Sequence, residues 1–375
     1  MPGIDIKAIV DYGKAKGVGV ILWAGYYPFD KDMERVCKHY SEMGVKGFKV
    51  DFVNSDDARI VDFHYRAAEM TAKYHLLIDF HGTYKPTGLN RTYPNVINFE
   101  GVNGQEQTKW CTIKEYNQPL YDVTVPFARM LAGPMDYTQG AMINGTQTTY
   151  APNTARPMSQ GTRTHQLAQY VVFLSPLNML CDSPTHYNQE EECTRFIVSV
   201  PTVWDETIPL KSEIGEYVAV ARRKDGKWFV GALTNWTARD LTLDLSPLNI
   251  AGRQADAFYD GINADRSAED YKRCQITIPE DGKLKVHLAP GVSAPTKRIR
   301  ISLICLIFLA NAIRQISDIR ISISIGLGAI GQTRMLRPGL CIGAFRRGGD
   351  SGALLLYRHD KSTAEGRQMV CGCAH

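Results

Sequence analysis

The sequence predicts an α/β fold, an incomplete (β/α)8 TIM barrel followed by a C-terminal antiparallel β-sandwich. Three observations predict it. Apolar runs of strand length alternate with stretches of helical spacing through the first 200 residues, the pattern of a parallel sheet built from repeated βα units. No G-x-G-x-x-G turn follows any of these strands, which disfavours a doubly wound dinucleotide fold. Trp23, Asp51, His81 and Glu100 fall at the C-terminal ends of successive strands, where a barrel carries its chemistry.

The elements follow in order. Ile6, Ile9, Val10 and Tyr12 have helical spacing, and Gly17 to Trp23 is a buried-strand run. Lys31 to Met43 is helical through Met33, Val36, Tyr40 and Met43 and stops at Gly44. Lys46 to Phe52 is the second strand. Asp57 to Tyr74 is a helix through Ile60, Val61, Tyr65 and Ala68. His75 to Phe80 and Val96 to Glu100 are the third and fourth strands, and further helices are expected at Thr162–Phe173 and Glu190–Val200. From about Ile208 the chain breaks into short strands: Glu216–Ala221, Trp228–Asn235, Asp240–Leu245, Ala255–Tyr259, Gln275–Ile278 and Lys283–His287. Turns such as Lys224-Asp225-Gly226-Lys227 separate them, as in a sandwich. The expected units are a catalytic barrel over 1–205, a sandwich over 206–291 and a remainder over 292–375.

Composition narrows the class. The 375 residues are 44% hydrophobic and 22% charged, which excludes collagen-like, disordered and membrane-spanning chains. The net charge of +4 hides a split: from Lys297 onward the chain carries +8, and residues 1–296 carry −4. The body therefore offers no electrostatic reason to expect nucleic acid. Nine cysteines without a CxxC pair read as free thiols rather than a zinc site. The N-terminus lacks the basic and apolar regions of a signal peptide. Arg300 and Arg314 bound the apolar run Ile301–Ile313 at 13 residues, short of the ~20 of a membrane helix.

Carboxylates carry the candidate chemistry. Lys49 and Asp51 are two apart on a strand and point to one face, with Asp51 at the barrel mouth. A fixed ammonium beside Asp51 favours the ionised carboxylate, as a nucleophile toward an anomeric carbon requires. The competing reading is a structural ion pair. Glu100 ends another strand, with a geometry suited to a hard cation. Glu106 follows in a loop with two glycines that can fold over the mouth. Either glutamate could equally be an ordinary loop carboxylate. His81, Lys85 and Arg91 are candidates for binding sugar hydroxyls, Trp23 and Tyr26 for an apolar sugar platform, and Asp136 for a further site residue.

Seven strings in order resemble glycoside hydrolase family 97: Gly17–Tyr27 (GVGVILWAGYY), Gly47–Phe52 (GFKVDF), His81–Asn95 (HGTYKPTGLNRTYPN), Asn98–Gly101 (NFEG), Leu131–Thr138 (LAGPMDYT), Ser175–Leu180 (SPLNML) and Pro201–Thr207 (PTVWDET). The resemblance covers about residues 3–291. It implies a calcium-dependent α-glycosidase, periplasmic or secreted, acting on an oligosaccharide or glycan. Inverting members, α-glucosidases, lack the strand-end carboxylate that retaining α-galactosidases use as nucleophile. Asp51 in Lys-Val-Asp-Phe therefore implies the retaining type, with Glu106 as acid/base and Glu100 and Glu106 as calcium ligands. An inverting α-glucosidase of the same family and a non-catalytic carbohydrate-binding remnant are the alternatives.

The resemblance begins around the third barrel strand, so a family N-terminal β-sandwich and two barrel units are expected to be missing, leaving activity impaired. It stops after Leu288-Ala289-Pro290-Gly291. The Ile- and Arg-rich remainder is expected to lie outside the fold, as from a frameshift or read-through.

Overall fold

The computed structural model describes residues 4–289, together with the backbone of three short strands at 343–344, 353–359 and 367–371. Helix α1 (Ile6–Ala15) starts where the Asp5 carboxylate accepts from the Ala8 amide at 2.9 Å, an N-cap for an otherwise unpaired donor. It leads into strand β1 (Val18–Gly25). Helix α2 (Met33–Met43) ends at Gly44, whose φ of 97° glycine adopts without strain. Strand β2 (Gly47–Asp51) follows, then helix α3 (Ala58–Lys73), capped by Asp57 through the Ile60 amide. Strands β3 (Leu77–Phe80) and β4 (Val96–Phe99) complete a parallel sheet in the order β1-β2-β3-β4. Successive strands joined by helices on one side are the repeating unit of a (β/α)8 barrel.

Between Glu100 and Thr162 the described residues form short helical turns and one two-residue parallel bridge, Asn144–Gly145 with Ser159–Gln160. Helix α4 (Arg163–Val172) is buried along its whole length, and helix α5 (Glu191–Ser199) packs in the same core. The remaining strands are antiparallel. Strands β5 (Glu206–Glu213), β6 (Tyr217–Lys224) and β7 (Lys227–Thr234) form one sheet. Strand β8 (Arg239–Asp244) pairs with β11 (Lys283–Leu288), and β9 (Gln254–Asp260) with β10 (Tyr271–Thr277). Leu241, Leu243, Ala255, Ala257, Leu284 and Val286 alternate inward into their common core. The sequence misses β5, because most of its residues are exposed and Pro209 sits at a register shift.

Three strands come from the C-terminal remainder: β12 (Gly343–Ala344), β13 (Ala353–His359) and β14 (Arg367–Cys371). β13 runs antiparallel along the edge of β1 from Val18 to Leu22, with β12 and β14 paired to it. The other residues of 292–375, including the runs at 299–313 and 319–325, lie outside the described residues. Among the described residues no helix is long and apolar enough to cross a membrane.

The barrel part and the sandwich are joined at the C-terminal end of α4. Buried Arg222 on β6 donates from Nε to the Val171 carbonyl at 2.7 Å and from Nη2 to the Val172 carbonyl at 3.0 Å. Those carbonyls lack helical partners at a helix end. Gly231 on β7 lets the strand come close, since a Cβ there would lie 2.9 Å from Val171 Cβ and 3.2 Å from the Ala168 carbonyl oxygen. Gly231→Ala is therefore expected to cost about 1–3 kcal/mol through overpacking, read as a lower midpoint in chemical denaturation.

Candidate active site

Strand alternation sets the floor of the site. Lys49 and Asp51 share the interior face of β2, and Lys49 is the cross-strand partner of Asp79 on β3. The Lys49 ammonium is buried and lies 2.7 Å from Asp136 Oδ2 and 3.2 Å from Met179 Sδ. Asp136 enters from the segment after β4, its amide donating to the Phe99 carbonyl at 2.8 Å. Burial opposes ionisation of Asp136, but Lys49 and then His81 outweigh it and hold its carboxyl below the usual range. Asp79 has the opposite fate. Burial, followed by the charge of Asp136, pushes its carboxyl well above the usual range.

Asp51 stands at the mouth, with both oxygens held. Trp23 Nε1 donates to Oδ2 at 3.0 Å, and the Phe52 amide donates to Oδ1 at 2.6 Å. Phe52 turns that amide back by taking a left-handed φ of 63°, a conformation that costs energy for a non-glycine residue. His81 Nδ1 lies 3.3 Å from Asp51 Oδ1. Burial works against the Asp51 charge, yet His81, Trp23 and Lys49 together hold its carboxyl well below the usual range.

His81 ties the carboxylates together. Its Nε2 is 3.3 Å from Glu100 Oε1 and 3.6 Å from Asp136 Oδ2. Burial and Lys49 would discharge it, but Asp51, Glu100 and Asp136 outweigh them and raise it to about 9. Glu100 accepts from the Gly82 amide at 2.6 Å. Burial first, with Glu106 adding to it, pushes the Glu100 carboxyl up to about 7. Ligand atoms of His81, Glu100 and Glu106 lie within 4.8 Å of one another. Glu106 sits on a short turn, Gln105–Lys109, whose Gln105 amide donates to the Tyr137 carbonyl at 2.9 Å. Glu106, Lys49, His81, Gln105 and Thr138 line a cleft of about 40 Å³.

The structure thus brings Trp23, Lys49, Asp51, His81, Glu100, Glu106 and Asp136 into one constellation. Trp23 is bonded to Asp51 and meets Phe52 edge-on, with centroids 5.4 Å apart. Tyr26 packs against Phe63 at 4.7 Å, in the core behind β1. Lys85 and Arg91 are exposed and line no part of this cleft. Sequence reasoning misses Asp79, although its register opposite Lys49 follows from strand periodicity. It also misses Arg129, which lies far off in sequence. Its Nη2 donates to the Phe99, Glu100 and Pro134 carbonyls at 3.2, 3.0 and 2.9 Å, pinning the corner that carries Glu100.

Two family models match the chain. One, described as glycoside hydrolase 97, covers residues 1–102; the other, described as glycosyl-hydrolase 97 C-terminal, oligomerisation, covers residues 203–293. The chain belongs to glycoside hydrolase family 97. A retaining alpha-galactosidase of Bacteroides thetaiotaomicron is 59% identical over 288 residues, 77% of this chain and 43% of that protein. A probable retaining alpha-galactosidase of Streptomyces bingchenggensis is 32% identical over 60% of this chain and 33% of its own length. A family 97 enzyme of Pseudoalteromonas sp. strain K8, solved in complex with panose, superposes with a TM-score of 0.69 at 30% identity, over 78% of this chain and 48% of that one. The chain spans less than half the length of each of these relatives. The family 97 likeness extends through both the barrel part and the C-terminal antiparallel sheets.

The raised pKa of His81 makes a signed prediction. A histidine raised from about 6.5 to about 9 stabilises the fold fully below the unfolded value and loses that contribution as pH rises through about 9. In chelator, the thermal midpoint should fall between roughly pH 6.5 and 9. His81→Gln should remove most of that slope.

Proposed function

We propose that this chain carries the catalytic centre of a retaining α-galactosidase, in which Asp51 is the nucleophile and Glu106 the acid/base. The observation that carries the reading is the Asp51 carboxylate: it ends β2 beside His81, which lines the cleft, and Trp23, Phe52 and His81 hold it ionised. The names of the Bacteroides and Streptomyces relatives support the same chemistry.

In the first step an Asp51 oxygen bonds to the anomeric carbon as its bond to the leaving oxygen breaks and Glu106 protonates that oxygen. In the second, Glu106 takes a proton from water, whose oxygen attacks the anomeric carbon and breaks the bond to Asp51. Two inversions return the α-anomer. His81 stays protonated and keeps Asp51 charged between turnovers. Lys49 and Asp136 fix the floor on which both stand.

Wild-type hydrolysis of a nitrophenyl α-galactoside, followed by proton NMR, should show α-galactose first; early β-galactose overturns the retaining assignment. Asp51→Ala should lower turnover by about 10⁴-fold or more. Azide should then restore turnover and yield the β-galactosyl azide. Preference for the α-glucoside would favour the inverting reading, and galactose binding without turnover the carbohydrate-binding one.

Calcium is the proposed cofactor. It is a hard cation that takes oxygen ligands. Glu100 and Glu106 offer carboxylates that converge, and the charge of Glu106 adds to the burial that raises the Glu100 carboxyl, a repulsion that a cation between them relieves. The His81 nitrogen is a poor match for calcium, so His81 is read as the neighbouring positive group rather than a ligand. Bound calcium would orient sugar hydroxyls and favour the ionised form of Glu100. Added calcium should raise the thermal midpoint by a few degrees, EGTA should reverse it, and Glu100→Gln should abolish the response.

A further inference from the structure

We propose that Thr138 is a sugar-binding residue, its hydroxyl pairing with a hydroxyl of the terminal galactose in the cleft beside Glu106; the inference rests on the galactosidase reading of that cleft. Three observations on the molecule lead to it.

The first is backbone strain. Thr138 has a φ of 59°. A β-branched residue in the left-handed region is a genuine outlier, and glycine is the residue that fits there without cost. Such strain persists only where the surroundings impose it, and it gathers at functional sites.

The second is that the surroundings do impose it. On one side of Thr138, Met135 donates from its amide to the Leu174 carbonyl at 3.0 Å, and Asp136 to that of Phe99 at 2.8 Å. On the other side, Gln139 Nε2 donates to Asn178 Oδ1 at 2.8 Å, and the Tyr170 hydroxyl donates to the Gln139 carbonyl at 2.8 Å. The Gly140 amide donates to Gln166 Oε1 at 2.9 Å. The segment is clamped on both flanks, and Thr138 takes up the mismatch.

The third is where the side chain ends up. Thr138 is 7% exposed and lines the cleft with Lys49, His81, Gln105 and Glu106. Its Oγ1 would be 3.7 Å from a Cβ placed on Gly104, in the loop that carries Glu106. Its hydroxyl makes no hydrogen bond within the described residues. A hydroxyl that both donates and accepts, set among charged groups, suits a sugar hydroxyl, which does the same.

Three variants separate strain from binding. Thr138→Val keeps the branched shape and removes the hydroxyl. Thr138→Gly removes the hydroxyl and relieves the strain. Thr138→Ser keeps the hydroxyl. The expected result is a KM for nitrophenyl α-galactoside, and a Kd for galactose by calorimetry, raised about tenfold or more in Val and Gly and largely recovered in Ser. Thr138→Gly should nonetheless raise the melting temperature, by about 2–4 °C. Binding within twofold of wild type in both Val and Gly overturns the proposal. So does a melting temperature that falls in Gly together with binding. If the wild-type chain binds galactose but releases no nitrophenol, the hydrolase reading fails and the galactose affinities still decide the role of Thr138. Absence of galactose binding by the wild type overturns the proposal as well.

Discussion

The buried Lys49 ammonium is the charge on which the site depends. It acts on Asp51, Asp79, His81, Glu100 and Asp136 alike. A buried cation is costly unless it is paired and bonded in good geometry, and Asp136 at 2.7 Å supplies the pairing. The position of Lys49 follows from strand alternation: a one-residue slip of β2 would bring Val50 inward and carry both Lys49 and Asp51 to the helix side. The apolar packing of Phe48 and Val50 against α2 and α3 thus fixes the register, and the register fixes the chemistry.

The elements divide the work by stiffness. Asp51 and Asp79 lie within strands, and His81 and Glu100 directly follow them, so their spacing is set by ladder hydrogen bonds. Glu106 and Thr138 sit on loops, and those loops are tied to each other by Gln105 and Tyr137 and to the frame by Asp136 and Met135. Phe52, next to Asp51, and Thr138, in the lining of the cleft, both take left-handed backbone conformations. Each places a polar group, an amide on Asp51 in one case and a hydroxyl in the cleft in the other, where relaxed backbone would turn it away.

The sequence makes legible what depends on short-range periodicity. The four parallel strands, α1 to α5 and most of the antiparallel strands fall where spacing places them, within a few residues. So do the strand-end carboxylates, because a carboxylate at the end of an apolar run needs no tertiary information to be noticed. Contacts between distant residues are not legible. Arg129 clamps the Glu100 corner from 29 positions away, and Lys49 meets Asp136 across 87. Lys85 and Arg91 stand close to His81 in sequence, but their exposure is set by the path of their loop, which spacing alone does not reveal. Trp23 reads as a sugar platform from its type, and its type alone does not reveal that its indole N–H donates to Asp51. Strand β5 escapes because only Ile208 and Leu210 alternate inward, with Pro209 between them and exposed residues on either side.

Charge balance connects the parts. Five carboxyl groups, Asp51, Asp79, Glu100, Glu106 and Asp136, gather around two cations, Lys49 and His81. Burial and Asp136 push the Asp79 carboxyl well above the usual range, which disfavours a further negative charge on the floor. Asp51 and Asp136 take up the two cations and stay ionised. Glu100 and Glu106 are left facing each other, and Glu100 accordingly sits near neutrality. Proton loss from Glu100 is opposed by its burial and by Glu106 and favoured by any cation brought between the two glutamates. The same arrangement that holds the Asp51 carboxyl well below the usual range therefore leaves Glu106 beside Glu100, a carboxyl pushed up to about 7.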